Sequence, residues 1–239
     1  MSINVFLNLI RYKSYLKNFI LFLPLFLTYS NWSIINFTKL FIIFIFFSIL
    51  ASSIYILNDI FDIEIDKQHK KKKYRPLASG ILPIKSAIII SIGLSVLSLS
   101  YFLFFTEKIT FLLAIFYLMI NFLYSLYFKK LKYLDLIIVL IGFLIRIYIG
   151  SISTEIIISN FLITQVIFFV LFILICKRRE YFYSFEGKII SKYSIIELNF
   201  LSRLFLFLNL VNYLMYFLKD TVFINSSILF VSFIIYSAL

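Results

Sequence analysis

The sequence predicts an all-α, polytopic transmembrane helical bundle, and three observations carry that expectation. Hydrophobic residues make up 63% of the 239-residue chain and charged residues 14%, with a mean hydropathy of +1.04, far from the composition of a soluble domain. Apolar runs of about 20 residues, enough to cross the hydrocarbon core, recur along the chain. They are too long and too uniformly apolar for barrel strands, and only three prolines and five glycines are present to break them. A helix satisfies every backbone polar group within its own segment, so helices are the form these runs take in a bilayer.

In order, the expected spans are Asn18–Ile35, Leu40–Leu57, Ile84–Phe105, Thr110–Phe128, Tyr133–Ser151, Ile158–Cys176, Ile195–Leu218 and Val222–Leu239, about eight in all. The first run is followed at once by others with no small-residue cleavage site, so it reads as a span and not as a removable signal. No soluble domain, linker or solenoid-type repeat interrupts the series, and residues 1–239 read as a single membrane domain. The lone Cys176 can form no internal disulfide and belongs to no metal-ligand spacing, so it reads as packing.

Charge orients the bundle. With the N-terminus on the cytoplasmic side, one face collects Arg11, Lys13 and Lys17; Lys67, Lys70–Lys73, Arg75 and Lys85; Lys129, Lys130 and Lys132; and Lys177, Arg178, Arg179, Lys188 and Lys192. The other face has Lys39, Lys108 and Lys219, so the distribution is eighteen against three. That positive-inside bias turns the acidic stripe toward the cytoplasm, and the expected location is the inner (plasma) membrane as a multi-pass protein. Part of the net charge of +12 then serves topology and contact with anionic membrane lipids. Nucleic acid is not an expected partner, because no soluble basic domain exists.

The loop after the second span carries the chemistry. Asn58, Asp62 and Asp66 recur every fourth residue and share a helical face, with Tyr55 one turn earlier and Asp59 at the edge. Carboxylates near a bilayer are costly, so a stripe of them points to a function, although a capped, solvated helix end is the ordinary alternative. Magnesium takes hard oxygen ligands, typically one or two carboxylates plus phosphate oxygens. A short acidic stripe beside Lys67 and Lys70–Lys73 therefore suits a magnesium-bound diphosphate on the cytoplasmic face. Other cytoplasmic segments bring cations: Lys17 before the first span, Lys129 after the fourth, with Tyr124 near that span's end, and Lys177-Arg178-Arg179 after the sixth. Arg146 lies inside the fifth span, where an ionisable residue is functional unless a structural partner holds it. One acidic stripe among many cations suggests two phosphorylated ligands, of which one needs metal.

The pattern Asn58-Asp59-x-x-Asp62-x-x-x-Asp66-x-x-His69-x-x-Lys72-Lys73-x-Arg75-Pro76-x-Ala78-x-Gly80 resembles the aspartate-rich motif of the UbiA superfamily of intramembrane prenyltransferases. Tyr124-Ser125-x-x-x-Lys129, Gly142-Phe143-x-x-Arg146-x-x-x-Gly150, Lys177-Arg178-Arg179-Glu180 and the opening Arg11 to Leu25 narrow the resemblance to the decaprenyl-phosphate phosphoribosyltransferases. The chain departs from that branch at Lys70, where the family has proline. It also ends inside an eighth span where the family has nine, which implies a missing ninth C-terminal helix.

The resemblance implies transfer of 5-phosphoribose from phosphoribosyl diphosphate to a polyprenyl phosphate lipid with Mg2+. It implies Asn58 and Asp62 as metal ligands and Asp59, Asp62 and Asp66 as the catalytic carboxylates, Asp59 and Asp66 assisting directly or through water. Lys17, Tyr55, Lys72, Lys73, Arg75, Tyr124 and Lys129 are then expected around the donor. Arg146, Lys177, Arg178 and Arg179 are expected on the acceptor phosphate. His69 has no proton to remove in such a reaction and reads as a structural hydrogen-bonding residue. An aromatic prenyltransferase using polyprenyl diphosphate is the alternative enzyme, but its usual second aspartate-rich loop is reduced here to Asp135. A transporter or an inactive truncated remnant are the non-catalytic alternatives. The sequence leaves isoprenoid length open, together with the choice between a monomer and a homo-oligomer.

Overall fold

A computed structural model describes residues 3–28, 32–184 and 193–219, with the side chains of 181–184 and 219 left aside. The described residues are helical, with no strand among them. Their contacts divide into two compact units, Met1–Ile157 and Ile158–Leu239. Each is described by itself.

In the first unit the chain begins with α1 (Ile3–Leu9), a 3-10 helix (Tyr12–Phe22) and the short α2 (Leu23–Leu27). The sequence suggests one unbroken span from Asn18, whereas the structure breaks this stretch into a 3-10 helix followed by a single α-helical turn. Pro24, which has no N–H to donate, occupies the first turn of α2, where none is needed. Eleven residues is long for 3-10 geometry. Two contacts with α7 (Leu134–Thr154) hold it in place. At Gly150 a Cβ would lie 2.0 Å from the Leu21 carbonyl oxygen, so only glycine lets the two backbones meet. Four residues earlier on α7, Arg146 Nε donates to Asn18 Oδ1 at 2.8 Å.

The longest helix, α3 (Ile34–Phe61), packs against α5 (Ile84–Phe105), α6 (Lys108–Leu126), α7 and the 3-10 helix. Lipid tails are as apolar as leucine, so helices in a bilayer associate through close packing of small residues and interhelical hydrogen bonds. The α3–α5 contact follows that rule: the Ser91 hydroxyl donates to the Ser53 carbonyl (2.8 Å) and Ser98 to the Phe46 carbonyl (2.6 Å). Buried Ala87 of α5 shares a core cluster with Ile56 of α3.

After α3 the helical hydrogen-bond pattern carries across Asp62 into α4 (Ile63–Gln68): Asp62 N–H reaches the Asn58 carbonyl (3.0 Å) and Asp66 N–H the Asp62 carbonyl (2.8 Å). The chain then folds back. Leu77 buries itself with Leu9, Ile56 and Ala87, and Gly80, at φ 77°, completes the turn.

The second unit contains α8 (Asn160–Ser184) and α9 (Ile195–Lys219). Gln165 bonds both Asn209 (3.0 Å) and Asn212 (2.8 Å), while Phe161 meets Tyr216 and Phe168 meets Phe205. These pairs fix an antiparallel register. Six described helices, α3 and α5 to α9, are long and apolar enough to cross a membrane, and the protein is an integral membrane protein. The eighth expected span, Val222–Leu239, lies outside the described residues.

Candidate active site at the end of α3

The aspartates of the acidic stripe are held by cations from four places in the chain. Asp59 accepts from Arg11 and from Arg75 Nη1 (2.9 Å). Asp66 accepts from the same Arg75 nitrogen (2.6 Å), with Lys72 Nζ at 3.9 Å. Asp62 accepts from Lys129 Nζ (2.6 Å) and from the Asn58 side-chain amide (3.0 Å). Anchoring of Leu77 and Ala78 in the bundle puts Arg75 between two carboxylates nine or more residues upstream. A short 3-10 turn, Phe128–Lys130, aims Lys129 back at Asp62.

Burial differs across the cluster and decides what each group can do. The side chains of Asp59 and Asp66 are only 3% and 2% exposed, while Arg75 is 26% and Lys72 35% exposed. The carboxylates are thus fixed anchors, and the cations present an open positive face. Burial, and next the Arg75 guanidinium, push the Lys72 ammonium below its ordinary pKa. The His69 imidazole is lowered by burial and then by Lys72, and its Nδ1 accepts from the Lys71 and Lys72 backbone N–H groups (3.1 and 3.3 Å). It shapes the turn that presents Lys72.

The donor set suits magnesium. Asn58 and Asp62 sit side by side with hard oxygens, and Asp62 is 19% exposed. One carboxylate and one amide oxygen would leave most of an octahedral shell to phosphate oxygens and water. No group of three or more His, Cys, Asp or Glu with metal-binding geometry exists among the described residues, so the cluster is no all-protein cage.

Of the expected donor residues, Lys72, Arg75 and Lys129 gather at the aspartates. Tyr55 lies beneath Arg11, whose guanidinium carbon is 5.4 Å from the ring centroid. Lys17 is exposed on the 3-10 helix and Tyr124 lies half-buried in the last turn of α6. Lys73 turns over the Tyr74 ring (5.1 Å). Arg146 is not at this cluster. It is buried, with Nη1 donating to the Gly142 carbonyl (2.6 Å), Nη2 to the Tyr117 hydroxyl (2.7 Å) and the Phe47 ring 5.0 Å away. Lys177, Arg178 and Arg179 fall on α8 in the second unit. Two contributors carry no role in the sequence reading. Arg11 is there counted among the topological cations, and Tyr117 is one of 17 tyrosines.

An apolar helical bundle whose longest helix ends in aspartates paired with partly exposed cations defines a class of intramembrane protein with a charged cluster at one helix end. The profile of the UbiA prenyltransferase family matches residues 19–185, and the chain belongs to that family. It is 34% identical over 140 residues to a decaprenyl-phosphate phosphoribosyltransferase of Mycolicibacterium smegmatis, an alignment covering 59% of this chain and 44% of that protein. Against the enzyme of the same name from Mycobacterium tuberculosis it is 30% identical over 141 residues, 59% and 46% of the two chains. The chain thus aligns with less than half the length of these relatives. A UbiA homolog from Archaeoglobus fulgidus, solved bound to DMAPP and Mg2+, superposes with a TM-score of 0.76 at 16% identity, covering 96% of this chain and 84% of that one. That likeness establishes the fold.

Proposed function

We propose that this protein transfers 5-phosphoribose from phosphoribosyl diphosphate to a polyprenyl phosphate, at the cytoplasmic face of the inner membrane, with residues 1–239 acting as one membrane domain. The observation carrying the reading is the cluster in which Arg75 spans Asp59 and Asp66 while Lys129 covers Asp62. Its cations are partly exposed and can exchange a carboxylate for a phosphate. The phosphoribosyltransferase relatives support the choice of donor.

In this reading Lys72, Arg75 and Lys129, with Lys17, Tyr55, Lys73 and Tyr124 around them, bind the donor's phosphates. Asn58 and Asp62 would hold Mg2+, which supplies neutralisation of the leaving diphosphate. Asp59 and Asp66 keep Arg75 and Lys72 in place. As the bond from the anomeric carbon to diphosphate breaks, positive charge grows on the ribose and negative charge on the leaving group, and preset cations stabilise the latter. An oxygen of the acceptor phosphate forms the new bond. It is already anionic at neutral pH, so no general base is required. Lys177, Arg178 and Arg179 are assigned to the acceptor phosphate. For Arg146 that role competes with the three protein partners it already has.

Membranes containing the protein, given phosphoribosyl diphosphate labelled in the ribose, magnesium and polyprenyl phosphate, should form a labelled lipid; absence of label defeats the reading. A second reading, transfer of a prenyl group from its diphosphate, draws on 37% identity over 94 residues to a digeranylgeranylglyceryl phosphate synthase of Sulfurisphaera tokodaii. Label entering the product from prenyl diphosphate instead would favour it.

A further inference from the structure

A polar cavity of about 470 Å³ opens at the other end of α3. Trp32, Asn36 and Lys39 line it from the entry to α3, and Ser153, Thr154 and Glu155 from the end of α7. From Asn36 to Asp59 the same helix runs 23 residues, about 35 Å, against a hydrocarbon core of about 30 Å. The cavity therefore sits at the membrane face opposite the aspartate cluster. Trp32, the single tryptophan of the chain, rests against the Phe37 ring (6.1 Å between centroids), and tryptophan is a residue of the membrane–water interface.

Three side chains of this cavity have no partner among the described residues. Ser153 is only 3% exposed, yet its hydroxyl makes no hydrogen bond. No fully enclosed side-chain polar atom there is unpaired, so that hydroxyl opens into the cavity. A buried hydroxyl without a partner is costly, and a ligand at this place would satisfy it. Lys39 and Glu155 line the same cavity but form no ion pair, either with each other or with another described residue. Glu155 is nonetheless held in place by its backbone. It caps α7 in the left-handed conformation (φ 57°), its N–H donating to the Ile152 carbonyl (3.2 Å), and the next residue, Ile156, is buried in the core and accepts from the Ser151 hydroxyl. Thr154 donates to the Gly150 carbonyl (2.8 Å) and keeps its oxygen lone pairs for a further donor.

We propose that this cavity binds the headgroup of a phosphatidylethanolamine-type lipid, its phosphate on the Lys39 ammonium and its primary ammonium on the Glu155 carboxylate, beside the Ser153 and Thr154 oxygens. A cation and an anion that share a cavity without neutralising each other match a zwitterion whose two charges are joined by a short linker. A purely anionic headgroup would meet the Glu155 carboxylate unpaired. A choline headgroup has no N–H to give to carboxylate and hydroxyl oxygens and is recognised by an aromatic cage, whereas Trp32 alone is aromatic among the described lining residues. The place at the ends of two spans, with the indole at the interface, favours a lipid over a free solute. The inference is independent of the reaction proposed above.

The test uses the full chain in detergent, with binding of phosphatidylethanolamine, phosphatidylcholine and phosphatidylglycerol of identical acyl chains read by native mass spectrometry. Wild type should hold phosphatidylethanolamine at least about 10-fold more tightly than the other two. Glu155→Gln, which keeps the side-chain size at an exposed position, should lose about 10- to 100-fold in phosphatidylethanolamine affinity and with it the preference over phosphatidylglycerol. Lys39→Met should weaken phosphatidylethanolamine by a similar factor. Equal retention of the three lipids by wild type overturns the proposal, and this arm decides alone should a variant fail to fold. An unchanged preference in Glu155→Gln, or unchanged affinity in Lys39→Met, overturns it as well. Competition by soluble O-phosphoethanolamine as effective as that of the lipid would assign the cavity to a free zwitterion, and the lipid proposal falls.

Discussion

Two arginine-centred layers stack along α3, and they are built on opposite principles. At its end Arg11 and Arg75 face the carboxyl groups of Asp59 and Asp66 with part of their surface open. About 17 Å deeper, counting 11 or 12 residues of helix, Arg146 is enclosed by the neutral Asn18, Tyr117 and the Gly142 carbonyl, with Phe47 and Phe143 rings around it. An ion pair at a wet rim can trade one anion for another. A guanidinium whose partners are neutral and buried has nothing to trade, and it fixes the helices that carry it. The upper layer is therefore the one proposed to bind ligand, and the lower one joins the 3-10 helix, α6 and α7.

The largest effect should come from the upper layer. Asp62→Asn removes the carboxylate beside Asn58 and the partner of Lys129, and turnover should fall about 10²- to 10³-fold with little change in thermal unfolding. Wild-type turnover across limiting magnesium would show that Asp62 holds no metal.

The lower layer should break in the opposite sense. Arg146→Ala leaves Asn18 and Tyr117 without their shared donor and should destabilise the protein by about 1–3 kcal/mol, read as a lower unfolding temperature in detergent. Gly150→Ala should act alike, because the new methyl meets the Leu21 carbonyl and overpacking typically costs about 1–3 kcal/mol. If either variant unfolds like wild type yet loses lipid acceptor affinity, the lower layer is a binding site after all.

The smallest effect sharpens the electrostatics. Because burial and Arg75 hold the Lys72 pKa below its usual value, Lys72 loses its charge as pH rises through a range where an ordinary lysine, near 10.4, is still protonated. Donor affinity should therefore weaken a few-fold on the alkaline side, and Lys72→Arg should move that limb upward. An alkaline limb unmoved by Lys72→Arg would remove Lys72 from the donor site.

The contrast between the layers explains how much could be read from the sequence. The acidic stripe was legible because four-residue spacing survives the Asp62 break through continued helical hydrogen bonds. Arg75 and Lys72 were legible because their place near the stripe follows from a short fold-back. The role of Arg146 was not legible: its partners Asn18 and Tyr117 are 128 and 29 residues away, and nothing local marks them. Arg11 was hidden for a similar reason, as a topological cation and a ligand of Asp59 look alike until the helices are packed. The broken first span escaped because hydropathy is blind to helix type, although Pro24 within the run was a hint.

Direct binding of phosphoribosyl diphosphate to the purified protein, compared between Arg75→Ala and Arg146→Ala at temperatures where both remain folded, tests the central claim. The account predicts that Arg75→Ala weakens donor binding about 10- to 150-fold, the usual cost of one charge-assisted contact at about 1.5–3 kcal/mol, while Arg146→Ala binds like wild type. Equal loss in both, or loss only in Arg146→Ala, would contradict it and move the donor site away from the end of α3.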